Sequence, residues 1–124
     1  MTARDLVASG ISGALLSIEG SQPVEAAVRL MSVHDFSQIS ITLDGRLVGS
    51  LNETHLYANL VKDPAIKTEP VDRIMQPAFP FVDISTPVEL LSTMITPSTP
   101  AVLVRDFKTD KTFILTRSDL IRVL

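Results

Sequence analysis

The chain has 124 residues, 45% of them hydrophobic and 5% aromatic with no Trp, which is enough aliphatic material for a real core and excludes a disordered chain. A formal net charge of −3, with no Lys/Arg run, argues against nucleic acid as a partner, because phosphate contacts need a basic face. The absence of Cys excludes a disulfide framework, a thiolate metal site and a Cys nucleophile, and the two histidines, His34 and His55, lie too far apart to set a metal-ligand spacing.

No segment has the uninterrupted apolar length of a membrane span. The start, Met1 to Asp5, lacks the apolar core of a signal peptide. A soluble, cytoplasmic chain is expected.

In chain order, Arg4 to Ser9 reads as a short helix and Ala14 to Ile18 as a short strand, with Gly10 and Gly13 flanking a break. Pro23 suits a first helical position and Glu25 the first turn. Val24, Ala27, Val28 and Met31 then form a helical stripe ending near His34-Asp35. Ser37 to Leu43 alternates, with Ile39, Ile41 and Leu43 on one face, and Asp44-Gly45 is a tight-turn dipeptide leading to a return strand, Leu47 to Leu51. Asn52 can cap the next helix, with Leu56, Leu60 and Val61 inward.

Lys62 to Pro70 is polar, contains two prolines and reads as a linker. Val71 to Met75 is a short helix stopped by Pro77, and Phe81 opens a strand. Thr86-Pro87-Val88-Glu89 starts a helix with Leu90, Leu91, Met94 and Ile95 on its apolar face. Ala101 to Val104 is a buried strand, Asp106 to Lys111 a solvated hairpin turn, Thr112 to Leu115 the return strand. A last helix, from Thr116, carries Leu120, Ile121 and Leu124 on one face. Thr116 and Asp119 thus stand at the mouth of a helix, beside backbone N–H groups without intrahelical partners. A hydroxyl and a carboxylate there can hold a polyol such as ribose, or cap the helix against each other.

The chain repeats itself. Gln22-Pro23-Val24-Glu25 matches Thr86-Pro87-Val88-Glu89, and Gly49-Ser50-Leu51-Asn52 matches Phe113-Ile114-Leu115-Thr116, both at an offset of 64. Gln38-Ile39-Ser40-Ile41 matches Ala101-Val102-Leu103-Val104 with a shift of one. Each unit reads strand-helix-strand-strand-helix, an α/β arrangement. So small a unit cannot bury a sheet well alone, so two are expected to pack sheet to sheet with pseudo-twofold symmetry. The expected division is 1–62 for the first repeat with its short N-terminal helix, 63–70 for the linker and 71–124 for the second repeat.

At Val71-Asp72-Arg73-Ile74-Met75, Phe36 to Ile41, Gly45 to Ser50 and Leu115 to Leu120 the chain resembles a tandem pair of CBS domains, the Bateman module, over roughly Arg4 to Leu124. Asp35-Phe36-Ser37-Gln38, Leu56 to Val61 and Gln76 to Pro80 look most like the C-terminal regulatory region of cystathionine β-synthase and its bacterial relatives. The resemblance implies an adenosyl ligand (AMP, ATP or S-adenosylmethionine) in the cleft between repeats. Thr116 and Asp119 would take its ribose side, Gln22, Ala27, Phe36, Ser37 and Gln38 its adenine side, with Leu115 and Ser118 flanking. The first repeat departs from the pattern: Asn52 and His55 stand where Thr and Asp belong, and Phe113 stands where Gly49 occupies the matching position.

The expected function is therefore a regulatory module, not an enzyme, since no nucleophile–base or metal set is visible. It would sense S-adenosylmethionine or AMP, require no other cofactor, form a homodimer and control an attached or partner enzyme, with no nucleic acid or membrane partner. The alternative is a ligand-free dimerisation module. A ligand with little phosphate is favoured because Thr96-Pro97-Ser98-Thr99-Pro100, before the middle strand of the second repeat, has no Lys or Arg.

Overall fold

The computed structural model describes residues 1–8, 13–34 and 37–123. It is a mixed α/β fold whose contacts divide into two compact units, Leu16–Ala78 and Met1–Leu15 with Phe79–Leu124.

In the first unit, β2 (Ser17–Glu19) leads through a turn into α2 (Val24–His34). β3 (Gln38–Leu43) and β4 (Arg46–Asn52) form a hairpin, followed by α3 (Glu53–Lys62), and β5 (Gln76–Pro77) completes a sheet of order β2-β3-β4-β5. β2 runs parallel to β3, and the other pairs are antiparallel. Asp44 and Gly45 take φ values of 51° and 79°, the left-handed pair that a two-residue hairpin turn requires. Ile39, Ile41 and Leu51 are fully buried and pack with Val24, Ala27, Met31, Leu56 and Val71.

The other unit holds α1 (Ala3–Ala8), β1 (Gly13–Ala14), β6 (Phe81–Asp83), α4 (Val88–Met94), β7 (Ala101–Asp106), β8 (Lys111–Thr116) and α5 (Arg117–Val123). Its sheet order, β6-β7-β8-β1, copies the first. Val102, Val104, Leu115, Leu91, Leu6 and Ala3 fill its core.

The repeat is visible bond by bond. Ser17 pairs with Ser40 and Phe81 with Leu103, which explains the shift of one residue at the middle strand. Val24 N–H donates to Glu69 C=O (2.9 Å) and Val71 N–H to Gln22 C=O (2.8 Å); in the other unit Val88 N–H donates to Met1 C=O (3.0 Å) and Ala3 N–H to Thr86 C=O (2.8 Å). The segment before each repeat thus closes the sheet of the other one. The linear division 1–62, 63–70 and 71–124 follows the sequence repeat, whereas packing assigns residues 1–15 to the second repeat and 63–78 to the first.

Several sequence expectations are corrected. Ala14 to Ile18 is not one strand: Ala14 pairs with Phe113 of one sheet and Ser17 with Ser40 of the other. The linker is structured, with a 3-10 turn at Pro64–Thr68 whose Ala65 N–H donates to Asp63. Val71–Arg73 is a single 3-10 turn rather than a helix reaching Met75, and β5 follows it. No side chain caps α4, whose N-cap residue is Pro87 rather than Thr86. Leu43, Val61, Leu90 and Ile121, expected inward, are exposed because each unit has too little core to cover a full helix face or a strand end. Asp106 is buried rather than solvated, and accepts a hydrogen bond from Lys108 N–H (3.0 Å). Leu124 lies outside the described residues.

Candidate ligand-binding site

β8 runs between β7 and β1, so Leu115 is flanked on both sides and fully buried. The ladder ends where Thr116 pairs with Ala101, and α5 begins at the next residue. A strand that stops against a helix start leaves free N–H groups, and the sequence answers with an acid in the first turn. Asp119 is only 8% exposed, so its carboxylate sits at this junction rather than in solvent. Its Oδ2 accepts from Thr116 N–H (2.8 Å) and from Thr116 Oγ1–H (3.1 Å). Half of the expected capping box is therefore present: the acid accepts from the Thr116 backbone, and the Thr116 hydroxyl donates to the acid. Both bonds fall on one oxygen, and Oδ1 takes none from the described residues. The ion pairs among the described residues are Glu69–Arg73 and Arg105–Asp110, so this buried carboxylate has no cation beside it. Chemically, it is an acceptor with unused capacity next to a hydroxyl that can rotate.

The matching junction of the first repeat is built differently. Asn52 Oδ1 caps α3 by accepting from His55 N–H (2.7 Å), and Asn52 Nδ2 donates to Gln76 Oε1 (3.0 Å). His55 Nε2 lies 2.9 Å from Ile74 C=O, which makes Nε2 the protonated nitrogen of the ring, since a carbonyl can only accept. Asn59 Nδ2 donates to His55 C=O (2.8 Å). The acid in the first turn of α3 is Glu53, next to the cap, and position 55 carries an imidazole rather than a carboxylate.

The other expected site residues are not all brought together. Ala27 and Leu115 are fully buried: each is 0% solvent-accessible and packs in the aliphatic cluster of its unit. Ser118 is exposed on the first turn of α5. Ser37 and Gln38 stand at the start of β3, with Ser37 Oγ–H donating to Gln38 Oε1 (3.0 Å), and Gln38 pairs with Asn52. Gln22 is not brought to them. It follows β2, whose Glu19 pairs with Thr42, so it stands at the opposite end of the sheet, roughly 13 Å away by the strand rise. Phe36 lies outside the described residues.

Leu16 shares the Gln38 end of the sheet, where its C=O accepts from Ser40 N–H (2.9 Å). The parallel pairing that puts it there has no local signature. A groove of about 430 Å³ between α2 and α3 is lined by Val28, Met31, Ser37, Glu53, Leu56 and Tyr57, and so belongs wholly to the first unit. Among the described residues no group of three or more His, Asp or Glu side chains is placed to hold a metal ion. None of their helices is long and apolar enough to cross a membrane.

The loop 96–100 leads directly into Ala101, the partner of Thr116. It closes on itself: Thr96 N–H donates to Thr99 C=O and Thr99 N–H to Thr96 C=O, both at 3.0 Å. Pro97 and Pro100 have no N–H, which leaves Ser98 alone in this loop to offer one.

No protein-family model and no curated protein matches this sequence. Solved structures do. The crystal structure of a CBS domain matches with a TM-score of 0.83 at 22% identity, covering 99% of this chain and 96% of that one. A CBS-domain-containing protein from Agrobacterium tumefaciens matches with a TM-score of 0.81 at 15% identity, covering 98% and 97%. CBSX2 in complex with AMP matches with a TM-score of 0.67 at 24% identity, covering 98% and 94%.

Proposed function

We propose that this chain, which has the fold of the CBS-domain proteins, is a regulatory module that binds an adenosyl ligand and controls an attached or partner enzyme. The observation that carries the reading is the Asp119 carboxylate: buried and, among the described residues, without a cation and with one oxygen unused beside the Thr116 hydroxyl. A ribose diol is the natural complement, because it brings two donors to a carboxylate that has acceptor capacity left. That the CBS-domain fold can hold such a ligand is seen in the AMP complex of CBSX2. The adenine side would come from the first repeat, through Ser37, Gln38 and Phe36, in the inter-repeat cleft that the sequence resemblance implies. No catalytic role is proposed for any residue.

The ligand favoured is S-adenosylmethionine, then AMP. A polyphosphate needs fixed positive charge or several free N–H donors. The loop beside Thr116 offers no cation and, of its five residues, two have no N–H and two use theirs internally. The likeness to the regulatory region of cystathionine β-synthase points the same way and rests on the sequence runs alone.

Calorimetric titration with S-adenosylmethionine, AMP and ATP tests the proposal. Asp119→Ala should weaken binding by about a hundredfold or more, since two charge-assisted hydrogen bonds contribute roughly 1.5–3 kcal/mol each. His55→Ala should leave that affinity unchanged. Equal effects of the two substitutions would refute the assignment, and ATP binding tighter than S-adenosylmethionine would refute the charge argument.

The second reading, an assembly module, is favoured by one observation. Val33, Tyr57, Val61, Leu90 and Ile121 are large, exposed apolar residues on or beside helices. A homodimer formed through them is compatible with ligand sensing.

A further inference from the structure

We propose that the groove between α2 and α3 is a ligand site of its own, for an organic ammonium ion with an apolar body. The inference goes beyond the adenosyl reading and does not rest on it, because every residue of the groove lies in the first unit.

Two helix faces build the groove. On α3, Glu53, Leu56, Tyr57 and Leu60 follow the spacing that puts side chains on one side of a helix. Val28 and Met31 line it from α2. Met31 and Leu56 are each only 6% exposed, so the floor is aliphatic and continuous with the core of the unit. Glu53 N–H donates to Ser37 C=O (2.8 Å), which ties the start of α3 to the segment leading into β3. The space, about 430 Å³, falls within the range of small-molecule sites.

The rim selects the occupant. Glu53 is the one charged residue lining the groove, and among the described residues it makes no ion pair. Tyr57, exposed, stands one turn along the same face. Its ring can lie over a cation held at the carboxylate while the ligand's apolar body covers the aliphatic floor. A neutral ligand of the same shape would strip water from the carboxylate and return no partner, and an anion would be repelled. The repeat does not impose these features. At the matching positions the second repeat has Arg117 for Glu53, Ile121 for Tyr57 and Ser92 for Val28, whereas the buried Leu56 is matched by the buried Leu120. Core positions are thus kept while carboxylate, ring and apolar wall belong to the first repeat alone.

The chain has a single Tyr and no Trp, so its one reporter fluorophore stands in the groove. The probe is hexylammonium, with hexanol and hexanoate as neutral and anionic controls on the same chain. Each is titrated into the full chain and followed by Tyr57 fluorescence and by methyl NMR of Met31 and Leu56. Hexylammonium should saturate with a dissociation constant of about 1 mM, within reach of so small a ligand. It should bind about tenfold tighter than hexanol, the sum expected of one exposed ion pair and one exposed cation–π contact. Glu53→Gln, a conservative change at an exposed position, should erase that preference and leave hexanol binding unchanged. Asp119→Ala should not alter hexylammonium binding, and Glu53→Gln should not alter the adenosyl affinity, so the two readings fail separately. No saturation with hexylammonium, equal binding of the three probes, a preference that survives Glu53→Gln, or its loss in Asp119→Ala would overturn the proposal. Shifts at Met31 and Leu56 that follow protein concentration rather than added probe would overturn it too, by showing that a second copy fills the groove.

Discussion

Gly49→Ala should destabilise the fold even though alanine suits a strand better than glycine. The gain from removing glycine's backbone freedom is about 0.5–1 kcal/mol. Against it stands the segment 75–77, whose β5 part pairs with β4. The new methyl would lie 2.5 Å from Met75 Sδ, 3.0 Å from Met75 Cγ and 2.9 Å from Gln76 C=O. Met75 can swing aside at modest cost, but the Gln76 carbonyl is backbone, held by the pairing of Gly49 with Pro77 and by the Ser50–Pro77 hydrogen bond at 2.6 Å. Overpacking of this kind costs about 1–3 kcal/mol, so the net loss is roughly 1–2 kcal/mol. For 124 residues, an unfolding entropy near about 0.26 kcal/mol/K turns that into a fall in Tm of about 4–8 °C. The assay is thermal melting by circular dichroism, with Gly49→Ala/Met75→Ala as a partner. Deleting the Met75 side chain clears two of the three contacts and leaves the carbonyl, so the cost of the added methyl should be smaller in that background but not vanish. A Gly49→Ala variant that melts at or above the parent temperature would refute the steric argument.

The remaining predictions are smaller in scope. Ser40 Oγ is buried without a hydrogen-bond partner among the described residues, so Ser40→Ala should be neutral or raise the urea midpoint, and a clear fall would mean that an ordered water satisfies it. Asp83 has its pKa lowered, first by the Ser85 hydroxyl and then by Ser85 N–H. A depressed carboxyl contributes stability above its unfolded pKa that is lost as pH falls through the folded one. Carboxyl NMR should therefore show Ser85→Ala returning Asp83 upward toward its ordinary range, and no movement would remove that source of acid sensitivity. Sedimentation at micromolar concentration should give a dimer mass, and Tyr57→Glu, at a residue 70% exposed, should shift it to monomer; a parent that is already monomeric refutes the helix-face dimer.

Local signals were legible and long-range ones were not. Asp44-Gly45 announced its hairpin because the turn demands positive φ at both positions, and Asn52 announced its helix because the cap needs an acceptor there. Ala101 to Val104 read as buried because it is a central strand with both faces covered. The fourth strand of each sheet escaped notice for the opposite reason. Gly13–Ala14 and Gln76–Pro77 are two residues each, too short for any period, and they exist only through partners far along the chain. Leu43, Val61, Leu90 and Ile121 misled for a related reason: periodicity marks a residue as apolar, but not which apolar residues a small core has room to cover.

At the site, the same limits acted on chemistry. The Thr116–Asp119 pair was legible as a pair at a helix start, and its hydrogen bonds leave room for the ribose role proposed above. The cap uses only Oδ2, so a diol can engage Oδ1 without unwinding the helix start. His55 was legible only as a departure. Its partner, Ile74 C=O, is a backbone atom nineteen residues away, and no side-chain pattern encodes it. The two junctions therefore differ in kind: the first presents an amide cap and an imidazole donor, the second a carboxylate acceptor, at positions that the repeat makes equivalent.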